Sequence, residues 1–366
     1  MDLSEKLFTI TCSGELMRCK DMDEKHELNP ILKLLKDNNQ YHYRNGKRIS
    51  VYLKERYDFY IKSLEQSIKE DNFIDSYFID ELKNRLPSIR VTTENIIKSY
   101  ELYEENKLLE AECMSKKVLF DNRNNMIIRS LGRKEERRMY RIRPNDNYPT
   151  EQRELFHVPM SKREICKDGR FSKKGVPCLY LATQLPLSWL EMDKPKICMA
   201  AKFALNDYLY NAIKMIDISG KQISDAYQLF ADINNARNKE KSLLASYEYL
   251  LKVICMIPIR LATTIPSEDN VDKQEYYFSQ VFLEWAKDNK IADGIIYESC
   301  KSEEAWAYAG CNFAFFVNEV DEEGYDIKLK SIFNMSKPHV IKDIKRAEDL
   351  FGEKFYEIKS LSESLE

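Results

Sequence analysis

Arg170, Tyr180 and Glu191 stand ten and then eleven positions apart within the stretch FHVPMSKREICKDGRFSKKGVPCLYLATQLPLSWLE, Phe156 to Glu191. They supply a permanent cation, an aromatic ring and a carboxylate. A guanidinium pairs through its planar fork with phosphate or carboxylate oxygens. A phenol ring stacks on a planar group and offers a hydroxyl. A carboxylate held in place beforehand stabilises positive charge that develops during a reaction. Each type is ordinary by itself: a lone Arg is usually at the surface, a strand Tyr in a core and a helical Glu in solvent.

The local signals put the three on different elements. Asp168-Gly169 before Arg170 and Lys173-Lys174-Gly175 after it are turn chemistry, which predicts a loop or strand edge. Pro177 introduces Cys178-Leu179-Tyr180-Leu181, an apolar run of strand length. Thr183 is the expected N-cap of a helix, Pro186 fits its first turn, and Glu191 then projects from its early turns. A loop, a strand and a helix in such quick succession can surround one cavity. Upstream, Met139 to Arg143 reads as a strand with Tyr140 and Ile142 on one face and Arg141 and Arg143 on the other. A solvated sheet edge is the bland reading of that strand. Downstream, Ile295, Tyr297 and Ser299 share a face of a strand that starts at Gly294, so Ser299 could point from a sheet into a pocket. His157 precedes Ser161 by four, but no reactive Ser or Cys is fixed beside it, and it reads as structural.

These blocks resemble the RES domain, a family known from bacterial toxins that consume NAD. The likeness rests on Gly169-Arg170-Phe171, Gly175-Val176-Pro177, Tyr180, Glu191, the Tyr-x-Ser of Tyr297-Glu298-Ser299, and the closing strand Asn312-Phe313-Ala314-Phe315-Phe316. Glu275-Tyr276-Tyr277-Phe278-Ser279-Gln280 with Trp285 resembles the helix before the Tyr-x-Ser strand in larger members, and the likeness spans about Met139 to Val317. It implies an α+β fold like that of ADP-ribosylating toxins, with small sheets around an NAD groove. It implies cleavage of the nicotinamide–ribose bond of NAD+, by phosphorolysis to nicotinamide and ADP-ribose-1″-phosphate, with water as another acceptor. The runner-up is ADP-ribosyl transfer to a macromolecule, and the third reading is a non-enzymatic module that binds nucleotide or a partner. The bond breaks through an oxocarbenium-like sugar cation. By this resemblance Glu191 stabilises that cation, Tyr180 stacks on nicotinamide or ribose, and Arg170 holds pyrophosphate or incoming phosphate. Ser299 then bonds the ribose or the amide, and Arg141 or Arg143 lies near the dinucleotide's phosphates. NAD+ is substrate rather than cofactor, inorganic phosphate is the co-substrate, and no metal is required because nicotinamide leaves as a neutral base. The chain shows no Gly-rich dinucleotide fingerprint after a strand, which suits NAD being consumed. An antitoxin or other regulatory protein is an expected partner.

Length and composition frame this reading. A chain of 366 residues accommodates two domains, and 43% hydrophobic residues with 10 Gly and 11 Pro describe a globular protein. A net charge of −3 weighs against a nucleic-acid partner. The basic run Arg133 to Arg143 is diluted by Glu135 and Glu136 and lacks a stacking array. Nine cysteines, an odd number without a CxxC pair, read as reduced thiols in a cytoplasm. The first residues are charged too early for a signal peptide, and the apolar stretch Val253 to Ile259 is too short to span a membrane. Cys12, Cys19, His26 and His42 are spaced too widely for the usual zinc pairs.

Three helices are expected before the catalytic region. The first contains Leu53 to Ile68, the second runs from Phe73 until Pro87 stops it, and the third is capped by Thr92 or Thr93 and contains Ile96 to Tyr103 and Leu108. They form a packing, dimerisation or regulatory unit. The turn-rich Asp121 to Asn125 sets the boundary, giving a helical domain at 1–122, a RES-type domain at 123–335 and a terminal helix and tail at 336–366. A charged helical segment at about 221–251 reads as an insertion packed on the outside.

Overall fold

The computed structural model describes residues 8–10, 16–18, 30–70, 76–144, 152–206, 208–226, 229, 240–268, 273–307, 310–344, 351 and 356–357. In chain order the first elements are β1 (Phe8–Ile10), β2 (Leu16–Arg18), α1 (Pro30–Asp37), α2 (Ile49–Glu70), α3 (Ser76–Glu104) and α4 (Leu108–Asp121). Then come β3 (Ile128–Ser130), β4 (Arg138–Pro144), β5 (Cys178–Ala182), α5 (Leu185–Glu191), β6 (Cys198–Leu205) and β7 (Lys214–Asp217). They are followed by α6 (Glu240–Thr263), α7 (Tyr277–Asp288), β8 (Gly294–Tyr297), α8 (Glu303–Ala307), β9 (Asn312–Phe316) and α9 (Ile327–Ile332). β10 (Phe333–Met335), β11 (His339–Ile341) and β12 (Tyr356–Glu357) complete the order. The fold is α+β. Met1–Met126, Ser219–Asp269 and Trp306–Ala309 make one compact unit, and Ile127–Ile218, Asn270–Ala305 and Gly310–Glu366 the other.

The first unit is helical. α2 buries Ile49, Leu53, Tyr57, Tyr60, Ile61 and Leu64, the stripe that its periodicity predicts. The expected second and third helices are one. α3 runs through Pro87, which sits on the solvent face, where water can satisfy the carbonyl that the ring leaves without a donor. Thr92 and Thr93 are therefore mid-helix rather than caps: Thr93 Oγ1 donates to Arg90 O at 2.7 Å, and Thr92 Oγ1 accepts from Asn122 Nδ2 at 3.0 Å. Leu108 begins a separate helix, α4.

The segment at 221–251 falls in the helical unit, and the apolar run that follows it is core. From Leu250 to Ile259 nearly every α6 side chain is buried, and the helix belongs to the helical unit. The reason is chemical as well as apolar. Pro258 lies inside α6 and has no N–H for the carbonyl of Ile254. The Tyr60 hydroxyl donates to that carbonyl instead, at 2.8 Å, and Tyr57 donates to Pro258 O at 2.8 Å. Tyr60 of α2 thus replaces the donor that the proline removes, and Tyr57 adds a second bond at the proline's own carbonyl. Tyr60→Phe should lower stability by about 1–3 kcal/mol, since a buried carbonyl loses its donor. Urea denaturation checks this, and an unchanged midpoint would refute the compensation.

The second unit is built on one sheet of order β12-β10-β6-β4-β5-β9-β8-β7-β3, with β11 also paired to β6. β7 and β8 are parallel, and the other pairs within it are antiparallel. Alternation sorts its faces. Leu179 pairs with Phe315, Leu181 with Phe313, and Phe313 with Ile296; all lie in the main apolar core. The opposite face carries Tyr180, Ala182, Asn312, Ala314, Ile295 and Tyr297 in matching register. Of the terminal helix and tail expected at 336–366, most lies outside the described residues; among those described, β11 pairs with β6 and β12 with β10. Ile341 is buried there with Ile142 and Ala200. Among the described residues no helix is long and apolar enough to cross a membrane, and seven cysteines are free thiols. No described cluster of His, Cys, Asp and Glu is arranged to hold a metal, and Cys12, Cys19 and His26 lie outside the described residues.

Candidate active site

The turn carrying Arg170 is a two-residue hairpin. Gly169 N–H donates to Ser172 O at 2.8 Å and Ser172 N–H to Gly169 O at 3.3 Å, which leaves Arg170 and Phe171 at the tip. Tyr180 of β5 supports it. Its hydroxyl accepts from Phe171 N–H at 3.2 Å and pairs with Ser172 Oγ at 2.9 Å. Glycine at 169 makes this approach feasible, because a Cβ there would lie 2.7 Å from the Tyr180 hydroxyl. Gln280 of α7 holds the hairpin from another side, its Nε2 donating to Gly169 O at 3.1 Å. Burial pushes the Tyr180 hydroxyl well above its ordinary pKa, so it remains a protonated hydrogen-bonding group.

Arg170 is only 8% exposed, and its guanidinium lies 4.7 Å from the centre of the Tyr276 ring. Burial acts to lower its pKa. Cys300, Tyr276, Glu191 and Glu275 around it outweigh that and raise it above the ordinary value. Glu275 is 1% exposed, and its Oε1 has no hydrogen-bond partner. The guanidinium thus acts on this buried carboxylate, although Glu275 is the weakest of the four groups that raise the guanidinium's pKa.

Glu191 is the last residue of α5, a helix of two turns, rather than part of the early turns of a longer one. Thr183 does not cap it. Gln184 occupies that position without a side-chain cap, while Thr183 Oγ1 accepts from Cys311 N–H at 3.0 Å and ties β5 to the start of β9. Leu187 and Leu190 pack with Ala182 and Ala305, which seats α5 on the outward face of β5. There Asn312 Nδ2 donates to Glu191 Oε1 at 2.7 Å. In register Asn312 stands between Ala182 and Tyr297, and the Tyr297 ring packs 4.6 Å from that of Phe171. Burial, then the charge of Glu191, pushes the Tyr297 hydroxyl pKa up. Arg170, Tyr180 and Glu191 are thus gathered on one face of the β5-β9-β8 strands.

The other expected residues sit differently. β8 ends at Tyr297, so Ser299 lies beyond the strand; it is buried, and its Oγ accepts from Lys301 N–H at 3.4 Å. Lys301 Nζ pairs with Asp193 Oδ1 at 2.9 Å, and its charge feels Glu191. Arg141 and Arg143 share their face of β4 with core residue Met139, opposite Tyr140 and Ile142. β4 and β5 are paired at one position only, Tyr140 with Ala182. Beyond it Arg141 Nη1 reaches the Tyr180 carbonyl at 3.4 Å, and Arg143 Nη2 donates to Phe156 O at 3.3 Å. Burial and then the charge of Arg143 lower Arg141 to about 9.

Sequence reasoning missed Asn312 as the group that orients Glu191, Glu275 as a neighbour of Arg170, and Tyr297 as a wall. Asn312 did leave a signal, a lone amide at the head of the apolar strand Asn312–Phe316. Glu275 left none, since nothing local marks a buried carboxylate.

His157 is structural. It is 1% exposed, its Nδ1 is 2.8 Å from Val158 O, and its Nε2 accepts from Asp326 N–H at 2.9 Å. Burial first, then Arg141 and Arg143, lower its pKa from 6.5 to about 4, while the Val158 bond opposes them. The unfolded chain therefore binds a proton that the folded one refuses between these values. The contribution of His157 is complete above pH 6.5 and is lost as pH falls to about 4, amounting to about 3 kcal/mol. Replacing it with Gln should flatten the fall in melting temperature across that window. An unchanged slope would rule this out.

With the geometry in place, the comparison with known proteins is decisive for the family. The model of the RES domain matches residues 138–330. The chain belongs to the RES-domain family. It is also 25% identical over 353 residues to the Bacillus subtilis (strain 168) protein named "Putative toxin YopC". That alignment covers 91% of this chain and 76% of the relative. No solved structure matches. The RES-domain match takes in β4 through β9 and the first part of α9, and so every residue of the Arg170–Tyr180–Glu191 group and its supports.

Proposed function

We propose that this RES domain cleaves the nicotinamide–ribose bond of NAD+ and acts as a toxin-like, NAD-depleting enzyme. The observation that carries the reading is the convergence of Glu191, fixed by Asn312, with Arg170 and Tyr180 on one sheet face. Glu191 keeps Oε2 clear of hydrogen bonds among the described residues, so it can face a ribose whose C1″ becomes cationic as the bond breaks. The C–N electron pair leaves with nicotinamide, which becomes neutral, and a phosphate oxygen forms the new bond to C1″. Arg170, rigidly backed by Tyr276 and the Tyr180-held hairpin, binds the phosphoryl oxygens. Arg141 and Arg143 favour an anion too: burial lowers the pKa of both, the charge of Arg143 lowers Arg141 further, neither forms an ion pair among the described residues, and Arg143 Nε lacks a partner. A pyrophosphate where β4 and β5 part would supply the missing charge. Ser299 Oγ accepts from Lys301 N–H and keeps its own O–H to donate to the ribose or the amide. The relative that carries the name of a toxin supports the toxin-like role.

The test is turnover of NAD+ by the full chain with and without phosphate, with products identified by mass spectrometry. Phosphate-dependent loss of NAD+ with a sugar-phosphate product is expected. Loss without phosphate would point to hydrolysis, and labelled ADP-ribose on a macromolecule would point to transfer. Binding without turnover under every condition would overturn the enzymatic reading.

A further inference from the structure

The helical unit contains a small cavity lined by His42, Tyr52, Arg56, Thr264 and Trp306, among others. Its free volume is about 10 Å³, room for roughly one water or one oxygen of a larger group. Arg56 is the anomaly in its wall. It stands on the buried stripe of α2, between Leu53 and Tyr60, and is 7% exposed. No hydrogen bond or ion pair to Arg56 exists among the described residues, and its Nε is buried without a partner. The titratable neighbours that act on it are two phenols, Tyr52 and Tyr57, and the cation Arg260, with no carboxylate among them.

Nearby cations are already provided for. Arg44 pairs with Glu268 at 2.7 Å, while Arg260 donates to Asn38 O at 3.2 Å and to Asn39 Oδ1. His42 completes the arrangement. Its Nε2 is buried with no partner, and burial followed by the charge of Arg56 lowers its pKa to about 4. It is therefore neutral near pH 7 and can donate one N–H. A buried guanidinium without a counter-charge is costly, and a hydrophobic residue at the same position would pack at no such cost.

We propose that this cavity is an anion-binding site, in which Arg56 and His42 hold an oxygen of a phosphate group. The Tyr41 and Trp306 rings, 6.0 Å apart in an edge-on arrangement, would flank whatever the phosphate carries. The ligand is free phosphate or a small nucleotide phosphate; both share the chemistry that Arg56 recognises. The site does not depend on the NAD reading of the RES domain.

The test follows the His42 ring by NMR in the full chain, assigned through His42→Gln, while inorganic phosphate, AMP or chloride is added. Phosphate or AMP should shift the His42 signal and raise the pH at which it titrates. The shift should persist in Glu191→Gln, and the dissociation constant should rise at least tenfold in Arg56→Met. Comparable phosphate and AMP affinities identify free phosphate as sufficient; AMP binding tenfold tighter identifies a nucleotide. Arg56→Met should melt no lower than wild type in phosphate-free buffer, since it removes an uncompensated charge, and Arg56→Lys gives a second folded variant for titration. A silent His42 signal, an equal response to chloride, or a shift preserved in Arg56→Met would each overturn the proposal.

Discussion

Glu191→Gln should reduce NAD+ turnover about 100- to 1,000-fold while leaving the KM for NAD+ within a few-fold of wild type. Glutamine keeps the size of the side chain and can still pair with Asn312, which approaches Glu191 Oε1 at 2.7 Å. In the proposed reaction it loses the negative charge that would stand beside the ribose, which would matter only once the sugar becomes cationic. The loss should therefore fall on kcat rather than on binding. Asn312→Asp offers a companion measurement. It replaces the amide donor with a second carboxylate facing Glu191, so like-charge repulsion should displace the catalytic group and cut turnover as well. A Glu191→Gln enzyme with wild-type kcat would remove Glu191 from the chemistry. Loss confined to KM would recast it as a binding residue.

Arg170→Met should lower folding stability by about 3–5 kcal/mol, even before any effect on activity is considered. The cause is Glu275, which is 1% exposed and carries an oxygen without a hydrogen bond. Removing the guanidinium leaves that carboxylate buried without the cation that acts on it. The second half of the prediction is a rescue. Glu275→Gln introduced into Arg170→Met should recover much of the loss, because the stranded charge is gone, whereas an ordinary packing defect would not respond. Thermal melts of the two single variants and the double variant decide it. Additive losses would mean that Arg170 and Glu275 do not compensate one another. The same experiment bears on assays with Arg170 variants: a drop in turnover is informative only at a temperature where the variant remains folded.

How much of this was legible in the chain depends on how local each determinant is. Turn residues around Arg170, the apolar run at Tyr180 and the proline before Glu191 are short-range signals, and each produced the loop, strand and helix that it implies. Alternation likewise placed Arg141 and Arg143 on one face of their strand, because side-chain direction has a period of two whatever the partner strand. The failures share a different character. Pro87 reads as a helix stop, yet the helix continues because the proline happens to face solvent. Helix α6 likewise holds Pro258 in its interior, because tyrosines from a distant helix satisfy carbonyls around it. Ser299 left its strand because β8 ends at Tyr297, the last position that β9 pairs.

The sequence by itself therefore determined the family, the α+β class and the identity of the three chemical groups, since these depend on residue type and close spacing. Only the tertiary structure decided who holds them. Asn312 is 121 positions from Glu191, and Gln280 is 111 from Gly169. Such contacts are made by strand register and helix packing between remote segments, and no local pattern encodes them. The same reason applies to Arg56: its position on an apolar stripe was visible in the sequence, but that it stands buried without a counter-charge was decided by what the rest of the helical unit placed around it.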